Sequence, residues 1–143
     1  MYNNLGCRGG DYSPAWRYSE INPIMSEADY PYTSGETGKS GSCNHKPSLG
    51  LFGATGYVFV DSDTNSIMTA IYQQPQSVSV DASSTYFDSY ISGVLTNADL
   101  CGTYLDHAVI AVGYGVDPVA GGYYIVRNSW GTEWGQGGYV WIG

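Results

Sequence analysis

The sequence predicts an α+β fold in which a loop-rich first part precedes a strand-rich second part. Two observations predict it. One helix is expected from about Thr64 to Gln74, because Ile67, Ala70 and Ile71 recur at helical spacing. Five short runs rich in β-branched and aromatic residues, bounded by Gly, Asp or Pro, are typical of an antiparallel sheet or barrel. These runs are Gly56–Val60, Ser77–Val80, Ala108–Val112, Tyr123–Val126 and Tyr139–Ile142. The two parts are therefore predicted at residues 1–52 and 53–143.

The first part is punctuated by Gly, Pro and Ser and is predicted to consist mostly of surface loops. The exception is a short helix from about Pro14 to Glu20, which Ser13 would cap and Pro14 would begin. In the second part, Val116–Gly122 is predicted to form the turn between the third and fourth strands.

Composition and charge narrow the range of functions. The 143 residues suffice for one domain or a domain and a half. The net charge of -8 repels phosphate backbones and anionic membrane surfaces, which argues against nucleic acid as a partner. No apolar run approaches the roughly 20 residues needed to span a bilayer, and Met1–Asn4 has no signal-peptide character.

The cysteines do not predict a metal site. Cys7, Cys43 and Cys101 are widely spaced and lack the close pairs typical of zinc ligands, so neither a metal nor another cofactor is predicted. Because their number is odd, at least one thiol has no intrachain partner.

Two polar clusters beside predicted strands carry groups that are useful in acyl transfer, namely Leu105–Val109 and Arg127–Gly135. His107 can act as a general base and acid near neutral pH if a partner holds its ring. The side-chain oxygen of Asn128 can serve as that partner, and Trp130 can cover the resulting hydrogen bond. Taken singly, each residue also has an ordinary structural interpretation as a satisfied histidine, a polar surface group or a packed aromatic.

The combined strings are more specific than their parts. Asp106-His107-Ala-Val-Ile-Ala-Val-Gly-Tyr-Gly115 and Asn128-Ser-Trp-Gly-Thr-Glu-Trp-Gly-Gln-Gly-Gly-Tyr139 resemble the histidine and asparagine motifs of papain-like cysteine proteases. Gly6–Gly10 is similar to the family's Gly-Cys-x-Gly-Gly loop, Tyr30–Tyr32 to its Tyr-Pro-Tyr, and Gln74–Ala82 to its Pro-x-Ser-Val segment. The resemblance implies that residues 53–143 form most of the antiparallel β-barrel (right-hand) domain and that residues 1–52 are a remnant of the helical (left-hand) domain.

The resemblance also implies a role for each matching residue. His107 would be the general base that pairs with a cysteine thiolate, Asn128 would orient its imidazole, and Trp130 would shield their contact. The backbone of Gly9 and Gly10 would bind an extended peptide. Asp106 would line the cleft beside the histidine. Five further residues would border the pocket for the second substrate residue on the acyl side, namely Asp11, Tyr12, Ser79, Leu105 and Ala108.

The nucleophile of the family does not match any segment of the sequence. Its Cys-Gly-Ser/Ala-Cys-Trp/Tyr signature precedes the histidine by roughly 130 residues or more, and counting back from His107 by that distance passes Met1. We therefore expect residues 1–143 to lack the nucleophile and to be inactive alone. The resemblance implies that Cys7 and Cys43 pair with upstream residues and Cys101 with a downstream one, as in a protein truncated at both ends.

Three interpretations follow from these observations. The first is a fragment of a papain-like endopeptidase that hydrolyses peptide bonds through a thioester, acts on peptide or protein substrates and binds protease inhibitors or a propeptide. The second is a catalytically dead homologue that binds peptides or inhibitors. The third is an unrelated β-rich adhesive or structural domain, which leaves the Asn128–Gly131 string unexplained. The family resemblance implies a lysosomal, vacuolar or extracellular location.

Overall fold

The chain divides into two compact units, Met1–Phe59 and Val60–Gly143. The computed structural model describes residues 4–96 and 101–143. The predicted boundary at residues 52 and 53 lies inside the first unit. The assignment of the two parts to the helical and barrel domains of the family remains a prediction.

The first unit consists mainly of loops. It contains helix α1 (Tyr12–Ile21), helix α2 (Ser34–Thr37) and two 3-10 turns, Gly6–Arg8 and Pro47–Leu49. The structure confirms a helix around residues 14–20, but the predicted Ser13 cap is wrong. Asp11 is the cap, because its carboxylate accepts a hydrogen bond from the Ser13 backbone N–H at 3.0 Å and so binds one of the free amides of the first turn.

Packing within the first unit depends on close backbone approach more than on a large core. Among the described residues of this unit, Met25 and Ser19 are buried, and an antiparallel bridge joins Ile24 to Phe52. Gly53 passes so near α1 that a Cβ atom there would lie 2.4 Å from the Ser19 carbonyl oxygen. Glycine is therefore required where the end of this unit crosses the helix.

In the described residues of the second unit, a five-stranded sheet packs with helices α3 (Thr64–Gln73) and α4 (Thr85–Asp88). In chain order the elements are α3, β1 (Gln76–Val80), α4, β2 (Val94–Leu95), β3 (His107–Asp117), β4 (Gly121–Arg127) and β5 (Tyr139–Ile142). The strand order is β1-β3-β4-β5-β2. All neighbours are antiparallel except β2 and β5, which are parallel. The α+β class, the helix near residues 64–74 and four of the five predicted strands are confirmed, whereas β2 was not predicted.

The predicted strand at Gly56–Val60 is wrong. Among the described residues this run pairs with no strand, and Val58 and Phe59 are 86% and 78% exposed. Its β-branched and aromatic residues favour an extended backbone, but a strand also needs a partner to bind its N–H and C=O groups. Local composition therefore overstates the extent of the sheet at this point.

The core of the second unit lies on one face of the sheet, beneath α3 and α4. Its buried residues are Ile71, Phe87, Tyr90, Val109, Ala111, Val126 and Val140. Val109 and Ala111 alternate along β3, as the two-residue period of a strand requires. The register of β3 against β4 then shifts between Ala111 and Gly113, where β3 contains one extra residue.

A tight turn at residues 118–120 joins β3 to β4. It confirms a turn within the predicted range of 116–122, but the strands extend further into that range than predicted. The Asp117 carboxylate accepts hydrogen bonds from the backbone N–H groups of Val119 and Ala120, both at 2.8 Å. These bonds lower the pKa of Asp117 below its ordinary value. The turn and the extra residue in β3 together set which residues of the two strands face each other.

Candidate active site

His107 and Asn128 become neighbours through the register of the β3–β4 hairpin. His107 is the first residue of β3, and Asn128 directly follows the last residue of β4. Because Ile110 pairs with Arg127, continuation of the ladder by one residue sets Asn128 opposite Val109. Opposed residues share a face of the sheet, as do residues two apart on one strand. His107 and Asn128 are therefore diagonal neighbours on the same face, although 21 residues separate them in sequence.

The two side chains are joined by a short hydrogen bond whose direction is defined by a third group. The distance from His107 Nε2 to Asn128 Oδ1 is 2.8 Å. The Ser129 backbone N–H donates to the same Oδ1 at 2.8 Å, so the atom at this position must be the amide oxygen. His107 Nε2 therefore carries a proton and donates it. The lone pair of the neutral ring is then on Nδ1, which has no hydrogen bond to any described residue.

Among the described residues, the Asn128 side chain forms hydrogen bonds only through its oxygen. The residue is 8% exposed, and its Nδ2 is buried without a hydrogen-bond partner in the described part of the chain. An unpaired buried donor costs about 1–3 kcal/mol. The contacts of Oδ1 thus outweigh the cost of the unpaired Nδ2, so the amide orientation serves the histidine rather than its own hydrogen bonding.

Aromatic rings surround the histidine–asparagine pair. The Trp130 ring lies 5.3 Å from the His107 ring, centroid to centroid, at a tilt of 31°. Phe87 presents its edge to His107 at 6.3 Å and to Trp130 at 5.5 Å, while Trp134 packs against both Phe87 and Trp130. Exclusion of water by these rings lowers the local dielectric and strengthens the hydrogen bond. The sequence indicated Trp130; nothing in the spacing of residues 85–88 singled out Phe87.

The loop that carries Asn128 and Trp130 is anchored to the last residue of α4 and to the segment that follows it. The indole Nε1 of Trp134 donates to the Asp88 carbonyl at 3.0 Å. The Tyr90 hydroxyl accepts from Gln136 Nε2 at 2.6 Å, and it donates to the Gly93 carbonyl at 2.6 Å. Burial raises the pKa of Tyr90, so the hydroxyl keeps the proton that it donates. These contacts hold the loop against the core.

The predicted pocket residues of the second unit gather around the start of β3. Ser79 and Ala108 lie directly opposite each other in the β1–β3 ladder. Asp106 Oδ1 accepts from the Ala82 backbone N–H at 2.8 Å, so its carboxylate binds the end of β1. Leu105 is 66% exposed and is available for contact.

The other predicted substrate-binding residues belong to the first unit. Gly9 ends the first 3-10 turn with a φ of 98°, and Tyr12 begins α1. The side chain of Asn4 binds both backbone groups of Asp11, the residue after Gly10. Its Oδ1 accepts from the Asp11 N–H at 2.8 Å, and its Nδ2 donates to the Asp11 carbonyl at 2.9 Å. Because the Asp11 carboxylate also caps α1, it has a structural role independent of any substrate. The roles of these residues in binding stay predictions.

The sequence places Cys101 as the sole thiol of the second unit, and its surroundings do not activate it. Burial raises the pKa of the Cys101 thiol, which disfavours the reactive thiolate. No hydrogen bond joins Cys101 to His107 in the described part of this unit. Cys7, Cys43 and Cys101 are all free in the structure.

The described residues show neither a metal site nor a membrane helix. No group of three or more His, Cys, Asp or Glu side chains is arranged there to hold a metal ion. None of the helices that can be described has both the length and the apolar character needed to cross a bilayer.

A histidine hydrogen-bonded to an asparagine and packed against tryptophan rings, on an α+β fold, resembles the arrangement of hydrolases in which such a pair assists a cysteine. The family model for papain family cysteine proteases matches residues 1–143, and the chain belongs to that family. It is 43% identical over 141 residues to Cysteine protease 1 of Oryza sativa subsp. japonica, a match that covers 96% of this chain and 28% of that protein. Family membership excludes the unrelated adhesive or structural domain.

Solved structures agree with the sequence match. Digestive procathepsin L 3 from the larval midgut of Tenebrio molitor superposes with a TM-score of 0.88 at 34% identity, covering 99% of this chain and 45% of that one. The Carica candamarcensis cysteine protease CMS1MS2, in complex with E-64, gives 0.82 at 35% identity and covers 97% of this chain and 61% of that one. The chain thus spans less than two thirds of these proteins and only 28% to 40% of the plant relatives it matches.

Proposed function

We propose that this chain supplies the general-base half of a papain-like cysteine endopeptidase, with His107 as base and Asn128 as the residue that orients it. The observation that carries the proposal is the 2.8 Å hydrogen bond from His107 Nε2 to Asn128 Oδ1, whose direction the Ser129 N–H defines. With Nε2 protonated, the neutral ring offers Nδ1 as the basic atom. A histidine held in a single tautomer is the arrangement that proton transfer to and from a thiol requires.

The reaction follows from this assignment. His107 Nδ1 takes the proton of a cysteine thiol, and the thiolate adds to the scissile carbonyl carbon. The resulting imidazolium gives that proton to the departing amine as the C–N bond breaks, which leaves a thioester. Water then attacks the thioester while His107 accepts a proton from it, and the acid product and the thiol are released. Asn128 keeps the His107 ring oriented during both formation and hydrolysis of the thioester. Trp130 limits the access of water to the hydrogen bond between His107 and Asn128.

The proposed nucleophile is not Cys7, Cys43 or Cys101. Cys101 lies in a site that favours its neutral thiol, and the sequence around Cys7 is similar to a loop whose cysteine is not the nucleophile in the family. We place the nucleophile in protein sequence outside residues 1–143, so the residues described here are inactive by themselves.

Peptides and proteins are the proposed substrates. Ser79, Leu105 and Ala108 would border the pocket for the second residue on the acyl side, and Asp106 would line the cleft beside His107. From the family resemblance we also propose that Gly9, Gly10, Asp11 and Tyr12 bind substrate. The structure of the Carica relative in complex with E-64, an inhibitor also bound by bromelain, supports the proposal that the peptidase binds protease inhibitors.

Two further proposals rest on the family. Residues 1–52 would derive from the helical domain and residues 53–143 from the barrel domain. A vacuolar, lysosomal or extracellular location would match the plant proteases to which the chain is similar.

A thiol-reactive peptidyl epoxide tests the assignment in two arms, each read by intact-mass spectrometry and peptide mapping. The purified 143-residue chain should show no stoichiometric labelling. The protein translated from the native transcript should be labelled at a cysteine outside residues 1–143. That labelling should be lost in His107→Gln and retained in the control His45→Gln, because His45 contacts the Pro23 carbonyl in the first unit.

Two outcomes would contradict the proposal. Stoichiometric labelling of Cys7, Cys43 or Cys101 that a peptide inhibitor competes away would show that the nucleophile was misplaced. Independent transcripts without an in-frame nucleophile signature would instead identify a homologue that does not cleave peptides.

A further inference from the structure

We propose that Asp81 is a positioning residue that fixes the backbone carrying Leu105 and thereby determines how tightly the proposed peptidase holds the second residue of its substrate. The expected effect on substrate binding rests on the proposed function. The contact of Asp81 with the backbone before Leu105 does not, because it is seen in this chain itself.

The Asp81 carboxylate joins two segments that are distant in sequence. Asp81 follows β1, and its Oδ2 accepts a hydrogen bond from the Tyr104 backbone N–H at 2.6 Å across 23 residues. Its Oδ1 accepts from the Ser83 N–H at 3.1 Å and from the Ser83 hydroxyl at 2.6 Å. Ser83 thus holds one oxygen of the carboxylate, and the other is aimed at Tyr104. Since these bonds also lower the pKa of Asp81, the group is ionised over the neutral range.

Gly102 shows how closely this segment approaches the carboxylate. Its φ is +71°, and a Cβ atom built on it would lie 2.3 Å from Asp81 Oδ2. A side chain at residue 102 would therefore meet the Asp81 carboxylate, and either the carboxylate or the segment would have to move. The positive φ of Gly102 also favours glycine at this position.

Leu105 and His107 depend on Asp81 to different degrees. His107 pairs with Val80 in the β1–β3 ladder. Asp106, just before His107, forms two further hydrogen bonds at the end of β1. Its N–H donates to the Val80 carbonyl at 3.1 Å, and its Oδ1 accepts from the Ala82 N–H at 2.8 Å. Leu105 lies between this tied region and Tyr104. Loss of the Asp81 contact would free the backbone on the Leu105 side while the ladder still holds His107.

This difference predicts that Asp81 affects substrate binding more than chemistry. A mobile Leu105 would weaken the pocket for a large apolar residue at the second position and would raise KM for peptides that carry one. Proton transfer by His107 would continue, so kcat would change little. Peptides with glycine at that position do not use the pocket and should show little change in KM.

The first arm of the test uses the 143-residue chain and does not require activity. Amide hydrogen exchange by NMR compares Asp81→Ala with the matched control Asp117→Ala. Asp117 is also a half-buried carboxylate that bonds to backbone amides, but in the β3–β4 turn. Exchange at Tyr104 should accelerate roughly threefold to tenfold in Asp81→Ala only, the factor set by the net contribution of one hydrogen bond. Should Asp81→Ala not fold, Asp81→Asn, which retains one of the two acceptor oxygens, replaces it.

The second arm uses the epoxide-reactive protein from the native transcript. In Asp81→Ala, KM for a peptide with leucine at the second position should rise several-fold while kcat is retained, and Asp117→Ala should match the wild type. The inference is overturned if Tyr104 exchange changes less than about twofold, or if an active wild-type protein and Asp81→Ala have the same KM. A wild-type protein without peptidase activity would instead overturn the proposed function and leave the exchange result to decide the positioning role.

Discussion

Replacing Tyr90 with phenylalanine would remove one buried hydroxyl and leave the ring in place. That hydroxyl accepts from Gln136 at 2.6 Å and from the Trp141 backbone N–H at 3.4 Å, and it donates to the Gly93 carbonyl at 2.6 Å. The phenylalanine ring would keep its packing against Trp134, so the substitution isolates the hydrogen bonds from the hydrophobic contacts.

The expected loss of stability can be worked from these contacts. A typical intramolecular hydrogen bond contributes about 1 kcal/mol net, and the 3.4 Å contact contributes less because of its length. The two short bonds alone give about 2 kcal/mol, and partners left without a hydrogen bond in a buried site bring the total to about 2–3 kcal/mol. With a urea m-value of about 2 kcal/mol/M, the unfolding midpoint should fall by about 1 M.

Urea unfolding followed by tryptophan fluorescence measures this shift. Tyr72→Phe is the matched control, because Tyr72 is 83% exposed on α3, and its change should stay within about 0.5 kcal/mol. If Tyr90→Phe were as stable as Tyr72→Phe, the hydroxyl would not anchor the loop that carries Asn128, and the reasoning from this network would be refuted.

Three other perturbations test separate parts of the second unit, each by the same urea titration. Val140→Ala should cost about 2–3 kcal/mol because Val140 is fully buried. The control Val119→Ala, at a site 97% exposed, should be nearly neutral. Equal effects of the two substitutions would contradict the placement of the core. Gly135→Ala should cost about 1–3 kcal/mol from backbone strain, because the φ of Gly135 is +58°. A steric clash adds to this cost, since the new Cβ would lie 2.6 Å from a backbone carbonyl oxygen of β5. Gly137→Ala carries the strain alone, because nothing lies within 4 Å of its Cβ, and should cost less. Hydrogen bonds at the start of α3 lower the pKa of Asp63 below 3.8, so its stabilisation is complete above that pH and is lost as the pH falls through the lowered value. The stability of Asp63→Asn, which keeps a capping oxygen, should therefore vary less with pH below 4 than that of the wild type, and equal slopes would show that this carboxylate is not involved.

Local patterns predicted the elements that depend on local interactions. Helix α3 was predicted correctly from the spacing of Ile67, Ala70 and Ile71, and β1, β3, β4 and β5 from their β-branched and aromatic runs. The cap of α1 was misassigned because Asp11 and Ser13 are both good capping residues and only the backbone path decides between them.

Local sequence patterns could not predict the elements that depend on pairing between distant residues. Gly56–Val60 has the composition of a strand but no partner among the described residues, whereas β2 has only two residues and exists because β5 pairs with it. The Tyr90 network links residues 46 and 51 positions apart, so no periodicity reveals it. For the site, the motif strings identified His107 and Asn128, but the direction of their hydrogen bond became evident only from the Ser129 amide.

Between the turn and the site, β3 contains one residue more than β4, near Val112. The pairing of His107 with Asn128 depends on this difference of one residue. A regular ladder drawn from the same turn would set Asn128 opposite Ile110, and the imidazole and the amide would then point to opposite sides of the sheet. Lengthening both strands equally would move the turn outward and leave the pair intact. Adding one residue to only one strand would separate the two groups by the full thickness of the sheet, even though every residue of the motif was still present.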